Sequence, residues 1–300
     1  MMKKYADYLM ANLGMRDKKE AKANPFNEYT YEKGIHLGEW LEPEEFRDAV
    51  YGTKAKHPEE CTAYLYYAMT VMGEIADRLG ETEYAAKLRE IARGAKLAYH
   101  HLFVETGTMD TDRQAKLVRP LALGLLDGAE KVSAQKRLKQ AVERYNYRVG
   151  TGFLSTQFIL PVLTDAGETE TAYNMLLNTD TPGWLYEVAQ GATAVWETWE
   201  GDLSQNHYSP GVVCQWLFDT VAGIRAAGEN HFVIAPMPGG GLTHAGANYQ
   251  SLYGKVSSRW EAVGETIKFE IVIPPNCTAE IRLPGGPVET VCAGTYQFEV

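Results

Sequence analysis

Apolar residues recur at helical spacing through most of the chain and at strand spacing near its end. Tyr5, Tyr8, Leu9 and Leu13 predict a short helix from Met1 to about Gly14. Arg16 to Tyr31 is polar, holds Asn24-Pro25 and reads as a loop. Residues 62–79 are apolar almost all round (Ala63, Leu65, Tyr67, Met69, Val71, Met72), which predicts a helix buried on most sides and stopped at Gly80. Thr82 is placed to cap the next helix. There Tyr84, Leu88, Ile91, Ala95 and Ala98 form one stripe, and Lys87, Arg89, Glu90, Arg93 and Lys96 face water. The alternation of buried and amphipathic helices continues. An apolar helix over 114–126 precedes an amphipathic one from Ser133 with Leu138, Val142 and Tyr145. An apolar element over 153–163 precedes an amphipathic one over 168–177. A further inner helix is predicted over 206–226, carrying Val212, Val213, Trp216, Leu217, Val221 and Ile224. Inner and outer helices in alternation are the rhythm of an α/α toroid, whose ligand pocket lies at one end of the inner ring. No internal repeat reinforces this reading, and there are fewer helical pairs than a complete (α/α)6 ring holds.

After Gly228 the period changes. Phe232-Val-Ile-Ala235 is strand-like and 236–241 is turn-rich. Ile267, Phe269, Ile271 and Ile273 then alternate with Lys268 and Glu270. Ala279, Ile281 and Leu283 repeat the pattern, as do Tyr296, Phe298 and Val300, with turns at Pro274-Pro275 and Pro284-Gly285-Gly286. The expected fold is mainly α with a β tail: an incomplete (α/α)6 toroid over 1–228, resting on this alternation and on the family resemblance given below, then a small antiparallel β-sandwich over 229–300. The tail's expected role is to pack and close the chain; nothing in it signals carbohydrate binding.

A net charge of −10 argues against general nucleic-acid binding. The first residues lack the apolar run of a signal peptide, and no stretch is long and apolar enough to span a membrane. The simplest expected location is cytoplasmic, with no membrane partner. Cys61, Cys214, Cys277 and Cys292 form no CxxC pair and are expected as free, buried thiols, although Cys277 and Cys292 both fall in the β tail. The seven histidines make no HxxxH or HExxH pattern, so neither metal nor cofactor is expected.

Candidate chemistry concentrates between Trp184 and Gly211. Trp184, Tyr186, Trp196, Trp199, Tyr208 and Trp216 offer flat apolar faces. Glu187, Glu197, Glu200 and Asp202 offer acid or base groups, and Asn206 and His207 directional hydrogen bonds. Flat rings with a few convergent polar groups make a small-ligand pocket, and paired carboxyls suit glycoside hydrolysis. The competing reading is an aromatic core with acids on its surface. A second crowded stretch, Gly34-Ile-His-Leu-Gly-Glu-Trp-Leu-Glu-Pro43, brings His36, Glu39 and Trp40 between two glycines. It reads either as a pocket wall or as a loop whose Trp and Leu plug the core.

Gly191-Ala-Thr-Ala-Val-Trp-Glu-Thr-Trp-Glu200 with Asn206-His-Tyr-Ser-Pro-Gly211 resembles the α-L-rhamnosidases of glycoside hydrolase family 78. So do Gly152-Phe-Leu154, Leu160-Pro-Val-Leu-Thr-Asp-Ala-Gly167 and Ile234-Ala-Pro-Met-Pro-Gly-Gly-Gly-Leu242. The likeness spreads over most of the chain but covers only the C-terminal part of such enzymes. It implies an inverting hydrolase of terminal α-L-rhamnosyl residues, with a rhamnose-containing glycoside or oligosaccharide as partner. In the Thr-x-x-Trp-Glu motif, Glu197 matches the general base that deprotonates the attacking water. Its acid partner would lie about 6.5–9.5 Å away, leaving room for that water. His207 matches a sugar-contacting histidine, whose alternative is a core histidine satisfied by backbone. Trp184 and Trp196 would supply flat walls. Gly38-Glu39-Trp40-Leu41 matches a Gly-Asp-Trp-Leu segment at the sugar site, with Glu39 in place of the usual Asp, and His36 stands beside it in the same candidate wall. The C6 methyl of rhamnose gives an apolar wall about 1–3 kcal/mol of discrimination.

One part of the pattern is missing. The family's general acid lies in an Asp-Arg-Asp-Glu-type motif followed by Leu-Gly-Trp, and neither occurs among these residues. Loss of a general acid costs about 10²–10⁴-fold. The expectation is therefore a fragment, or half of a split gene, whose upstream polypeptide completes the barrel and covers its apolar inner helices. Two further readings stand beside it: an inactive carbohydrate-binding remnant, and a glycosidase of other specificity on the same toroid.

Overall fold

The computed structural model describes residues 1–47 and 55–300. Two compact units divide the chain, Met1–Val162 and Leu163–Val300. The first is all helix and loop. α1 (Met2–Ala11) lays Ala6 and Leu9 into a cluster with Leu65, Met69 and Met72 of α3 (Pro58–Arg78) and Leu88 and Ala92 of α4 (Thr82–Tyr99). α4 begins without a side-chain cap; Glu81, not Thr82, holds the N-cap position. The helix runs on into a π turn, His100–Val104. A second cluster gathers Ala63, Tyr99, Phe103, Leu123 and Leu125 at the far end of the α3–α4 pair. The pair α5 (Gln114–Ala122) and α6 (Gly128–Arg144) repeats the hairpin arrangement. α6 starts five positions before the expected Ser133, from Gly128 at N1 after Asp127.

The expected loop between Arg16 and Tyr31 contains a helix, α2 (Lys18–Ala23). Its sequence lacks an apolar stripe, but Asp17 accepts the N–H groups of Lys19 and Glu20 at 2.8 and 2.9 Å. An N-cap of that kind and a run of Lys, Glu and Ala hold a short polar helix without burial. α7 (Thr156–Asp165) ends the first unit and carries the chain into the second.

The second unit holds α8 (Thr169–Leu176), α9 (Trp184–Ala189), α10 (Tyr208–Gly211) and α11 (Val213–Trp216), then two four-stranded sheets. The single inner helix expected over 206–226 is instead α10, α11 and a π turn over Leu217–Val221. Ile224–Ala226 is not helical but strand β1, paired antiparallel with β2 (His231–Ile234). Helical ladder bonds give way at Gly223, and strand pairing satisfies the backbone beyond it. The β region therefore begins before residue 228.

One sheet has the order β1-β2-β6-β7, with β6 (Thr278–Arg282) and β7 (Val288–Val291). The other has the order β3-β4-β5-β8, built from β3 (His244–Ser251), β4 (Gly254–Val263), β5 (Thr266–Ile273) and β8 (Gly294–Glu299). All pairings are antiparallel except β2 with β6, which run parallel because the chain builds three strands of the other sheet before returning. Alternation sets the buried face: Phe269, Ile271 and Ile273 are buried while Lys268 and Glu270 are exposed. Trp260 of β4 donates its indole N–H to the Val221 carbonyl at 2.8 Å. The buried Trp216 meets Tyr173 edge-on at 5.1 Å and donates to Thr164 Oγ1 at 2.9 Å. The architecture is mainly α with a β tail, helical pairs of an incomplete toroid followed by a two-sheet β region. All four cysteines are free; Cys61 and Cys277 are buried, but Cys214 and Cys292 are exposed, contrary to the expectation of buried thiols throughout.

Candidate functional site

Of the seven residues singled out in the sequence, His36, Glu39 and Trp40 lie in the first unit. Trp184, Trp196, Glu197 and His207 lie in the second.

In the first unit, Gly34 and Gly38 take positive φ (100° and 62°) and fold the 34–43 stretch into an irregular loop. His36 is half-buried. Its Nε2 lies 2.7 Å from the Lys33 carbonyl, and its ring meets Tyr31 edge-on at 5.6 Å. Glu39 is 1% exposed. Its Oε1 accepts the N–H groups of Gly152 and Ser155 at 3.0 and 2.8 Å, and its Oε2 accepts the Ser155 hydroxyl at 2.8 Å and the guanidinium of Arg119. Arg119, also fully buried, bridges to Glu59, which accepts the Tyr99 hydroxyl at 2.7 Å. Burial disfavours the charge on Arg119, yet the two carboxylates hold its pKa well above the usual value. Glu39 thus sits in a buried ion network, donated to from several sides, and braces the loop through Gly152, Ser155 and Arg119. Trp40, half-buried, accepts the Phe153 N–H through its carbonyl at 2.8 Å. Gly152 is required there, because a Cβ would fall 2.4 Å from that same carbonyl.

In the second unit, Gly183 leads into α9, which buries Trp184 and Glu187 on one face, one helical turn apart. Trp184 packs edge-on against Trp199 at 5.7 Å and donates its N–H to the Pro210 carbonyl at 3.0 Å. This makes it a core residue behind the loop rather than an open flat wall. The loop over 190–207 is irregular but not slack. The His207 N–H donates to the Val195 carbonyl and the Glu197 N–H to the Ser204 carbonyl, both at 2.8 Å. Ser204 N–H returns a bond to Glu197 Oε2 at 3.3 Å. Glu197 is half-buried, as are Trp196 and His207, whereas Glu200 and Asp202 are exposed. His207 Nδ1 accepts the Ser209 N–H at 3.2 Å and caps α10. That acceptor role requires an unprotonated Nδ1, so the neutral ring carries its proton on Nε2. The sequence marks Glu187 as one acid group among four in this stretch, without a role of its own. It is 3% exposed, and burial pushes its pKa up to about 7, against the pull of a backbone hydrogen bond from Trp196. Its spacing from Trp184 on one helix face is the signal that could have marked it.

The two units thus hold different kinds of chemistry. The first holds a buried, fully engaged ion network. The second presents a half-buried carboxylate on a loop pinned by backbone bonds. A concavity of about 900 Å³ on the outer face of β3-β4-β5-β8 carries His244, Arg259, Glu261, Lys268, Glu270 and Glu299, and none of the seven candidate residues lines it. Among the described residues no group of three or more His, Cys, Asp or Glu is arranged to hold a metal ion, and no helix is long and apolar enough to cross a membrane.

Residues 2–221 match the bacterial alpha-L-rhamnosidase 6-hairpin glycosidase domain, and residues 223–296 match the bacterial alpha-L-rhamnosidase C-terminal domain. The chain belongs to the α-L-rhamnosidase family. It is 34% identical over 237 residues to an α-L-rhamnosidase of Streptomyces avermitilis, covering 74% of this chain and 23% of that one. An α-L-rhamnosidase of Formosa agariphila is 31% identical over 252 residues, covering 79% of this chain and 27% of the relative. The fold is similar to the Streptomyces avermitilis α-L-rhamnosidase crystallised with L-rhamnose, at TM-score 0.84 and 27% identity, covering 100% of this chain and 30% of that one. The native Aspergillus terreus enzyme aligns at TM-score 0.83 and 26% identity, covering 96% of this chain and 37% of that one. The chain thus spans about a quarter of the length of the curated relatives it matches. The boundary between the two α-L-rhamnosidase matches falls just before β1, where the helical ladder ends.

Proposed function

We propose that this chain carries the base side of an inverting α-L-rhamnosidase site, with Glu197 as the general base. Water would attack the anomeric carbon from the face opposite the leaving group, and Glu197 would take its proton. A carboxylic acid on the other face would protonate the departing oxygen, so that an α-L-rhamnoside gives β-L-rhamnose. The observation that carries this reading is the setting of Glu197. It is a half-buried carboxylate on a loop braced at residues 195, 197, 204 and 207, in a match to a glycosidase family domain. A half-buried base retains access to the water it must deprotonate. The substrate class is a glycoside with a terminal α-L-rhamnosyl group, as the rhamnose complex of the Streptomyces avermitilis relative suggests.

The acid partner is not among the residues that reading would need. Glu39, the nearest match in type, is fully engaged with Arg119, Ser155 and Gly152. We propose that an upstream polypeptide supplies it and completes the barrel. This also favours a second reading for the chain by itself, a sugar-binding remnant without turnover.

The test is release of 4-nitrophenol from 4-nitrophenyl α-L-rhamnoside, with L-rhamnose binding measured alongside, for wild type and Glu197→Gln. Each is assayed alone and with an upstream polypeptide carrying the acid motif. Turnover that appears with the added polypeptide and vanishes in Glu197→Gln supports the enzyme. L-rhamnose binding without turnover in every mixture supports the remnant.

A further inference from the structure

Glu187 is the buried member of the carboxylates that crowd the 184–202 stretch. It lies on α9, one helical turn past Trp184, and is 3% exposed. Its Oε2 accepts the peptide N–H of Trp196 at 3.0 Å. Its Oε1 is buried with no hydrogen-bond partner among the described residues. An apolar side chain of similar volume would fill this place without the cost of burying a carboxyl. What an apolar side chain could not do is hold the Trp196 N–H.

That N–H sits between two anchored neighbours. The carbonyl of Val195 accepts from His207, and the N–H of Glu197 donates to Ser204. These bonds close the loop on itself. The bond from Glu187 differs in kind, because it ties the loop to a helix. The Trp196 indole packs over Gly201, so the residue is held from both backbone and side chain.

We propose that Glu187 is a positioning residue for Glu197: its carboxyl clamps the peptide N–H of Trp196 and so fixes where the next side chain is presented. This rests on the reading of Glu197 as the base. Burial that keeps Glu187 protonated towards neutral pH accords with the role, since a neutral carboxyl accepts from an amide without placing a second negative charge behind the base. Glutamine supplies the same carbonyl acceptor, whereas alanine and leucine supply none.

The experiment compares Glu187→Gln, Glu187→Ala and Glu187→Leu in the full chain by amide hydrogen exchange at Trp196 and Glu197. Rhamnoside kinetics are measured on the same preparations with the upstream acid-bearing polypeptide added. The expected result is wild-type protection in Glu187→Gln and exchange faster by about tenfold or more in Glu187→Ala, the range of a local opening. Should Glu187→Ala fail to fold, Glu187→Leu fills the volume without an acceptor and carries the comparison. In kinetics, the variants lacking an acceptor lose kcat by about tenfold with KM little changed, and Glu187→Gln restores it. Unchanged exchange in both Ala and Leu variants overturns the proposal, and so does faster exchange with wild-type kcat. An equal loss of kcat in Gln and Ala variants also overturns it, because Glu187 would then act as an acid or base itself. If wild type with the upstream polypeptide turns over no rhamnoside, or Glu197→Gln turns it over normally, it is the base reading that has failed, and the exchange data still judge the clamp.

Discussion

The indole N–H of Trp184 donates to the carbonyl of Pro210 at 3.0 Å, and so joins the start of α9 to the turn that follows His207. Both partners are buried. Replacing Trp184 with Phe keeps an aromatic ring against Trp199 but leaves the Pro210 carbonyl without this donor. The Val212 N–H also reaches this carbonyl, so the loss is that of one buried hydrogen bond, about 1 kcal/mol. Trp184→Phe is therefore expected to lower the unfolding free energy in urea by that amount and to weaken L-rhamnose binding by loosening the His207 turn. Unchanged L-rhamnose affinity alongside the stability loss would show that the bond serves packing only.

Glu39 gives a sharper contrast between structural and catalytic roles. Gly152 N–H, Ser155 N–H, the Ser155 hydroxyl and Arg119 all donate to it. In Glu39→Gln the new amide NH2 must face a donor whichever way it is flipped. Arg119 also loses one of the carboxylates that face it and keeps Glu59 and, farther off, Glu60. Breaking a buried pair on one side costs about 3–5 kcal/mol. Glu39→Gln is expected to fall in thermal midpoint and to lose helical signal in the first unit. A general acid at this position would predict the opposite, a folded and inactive protein. Circular dichroism melts of the variant distinguish the two.

Where apolar spacing carried the information, the sequence was readable. α3 follows from its nearly continuous apolar run, α4 from its stripe, and the alternation of β5 from Ile267 to Ile273 from the pleat. α2 was hidden because its stability rests on the Asp17 cap and helix propensity, which leave no apolar period. The β3–β4 hairpin was passed over because Gly246, Asn248, Ser257 and Ser258 break the alternation that would announce it. Over 206–226 the apolar residues fit a helix, and only the pairing of Ile224–Ala226 with β2 decides otherwise. The site divides the same way. The aromatic-acidic stretch marked Glu187 and Glu197 alike, and only the helical spacing of Glu187 from Trp184 sets that buried carboxyl apart from the exposed Glu200. Likewise Glu39 finds Arg119 and Glu59 through tertiary packing, at separations no motif spans.

The pH dependence of stability should carry the signature of Glu187. Burial raises its pKa to about 7 from an ordinary value of 4.5. Between those values the unfolded chain releases a proton that the folded chain keeps. Stability therefore falls as pH rises through this window and is flat on either side. At about 1.4 kcal/mol per pKa unit, the loss is on the order of 3 kcal/mol. Glu187→Gln has no such proton, so relative to wild type it gains stability between pH 5 and pH 8. Glu42 is pushed to about 7 by burial as well, and the difference between the two proteins cancels its contribution. Urea melts at the two pH values test this; parallel pH profiles for both proteins would count against a buried, protonated Glu187.

Gly201 is the position where the loop can be perturbed without touching any carboxylate. It takes φ +72°, in the left-handed region that costs a side chain about 1 kcal/mol or more. A Cβ there would also fall 2.6 Å from the six-membered ring of Trp196, closer than real contacts allow. Gly201→Ala must therefore shift the indole or the backbone beneath it. Because the Gly201 N–H closes a turn on the Thr198 carbonyl at 3.0 Å, the shift passes to the segment bearing Glu197. The expected outcome is a modest stability loss of about 1–3 kcal/mol, as for other overpacked sites. A blue or red shift in tryptophan emission should accompany it, with L-rhamnose binding weakened by more than the stability change alone would produce. If Gly201→Ala binds L-rhamnose as wild type does while its emission shifts, Trp196 does not shape the sugar site, and the part assigned to it beside Glu197 falls away.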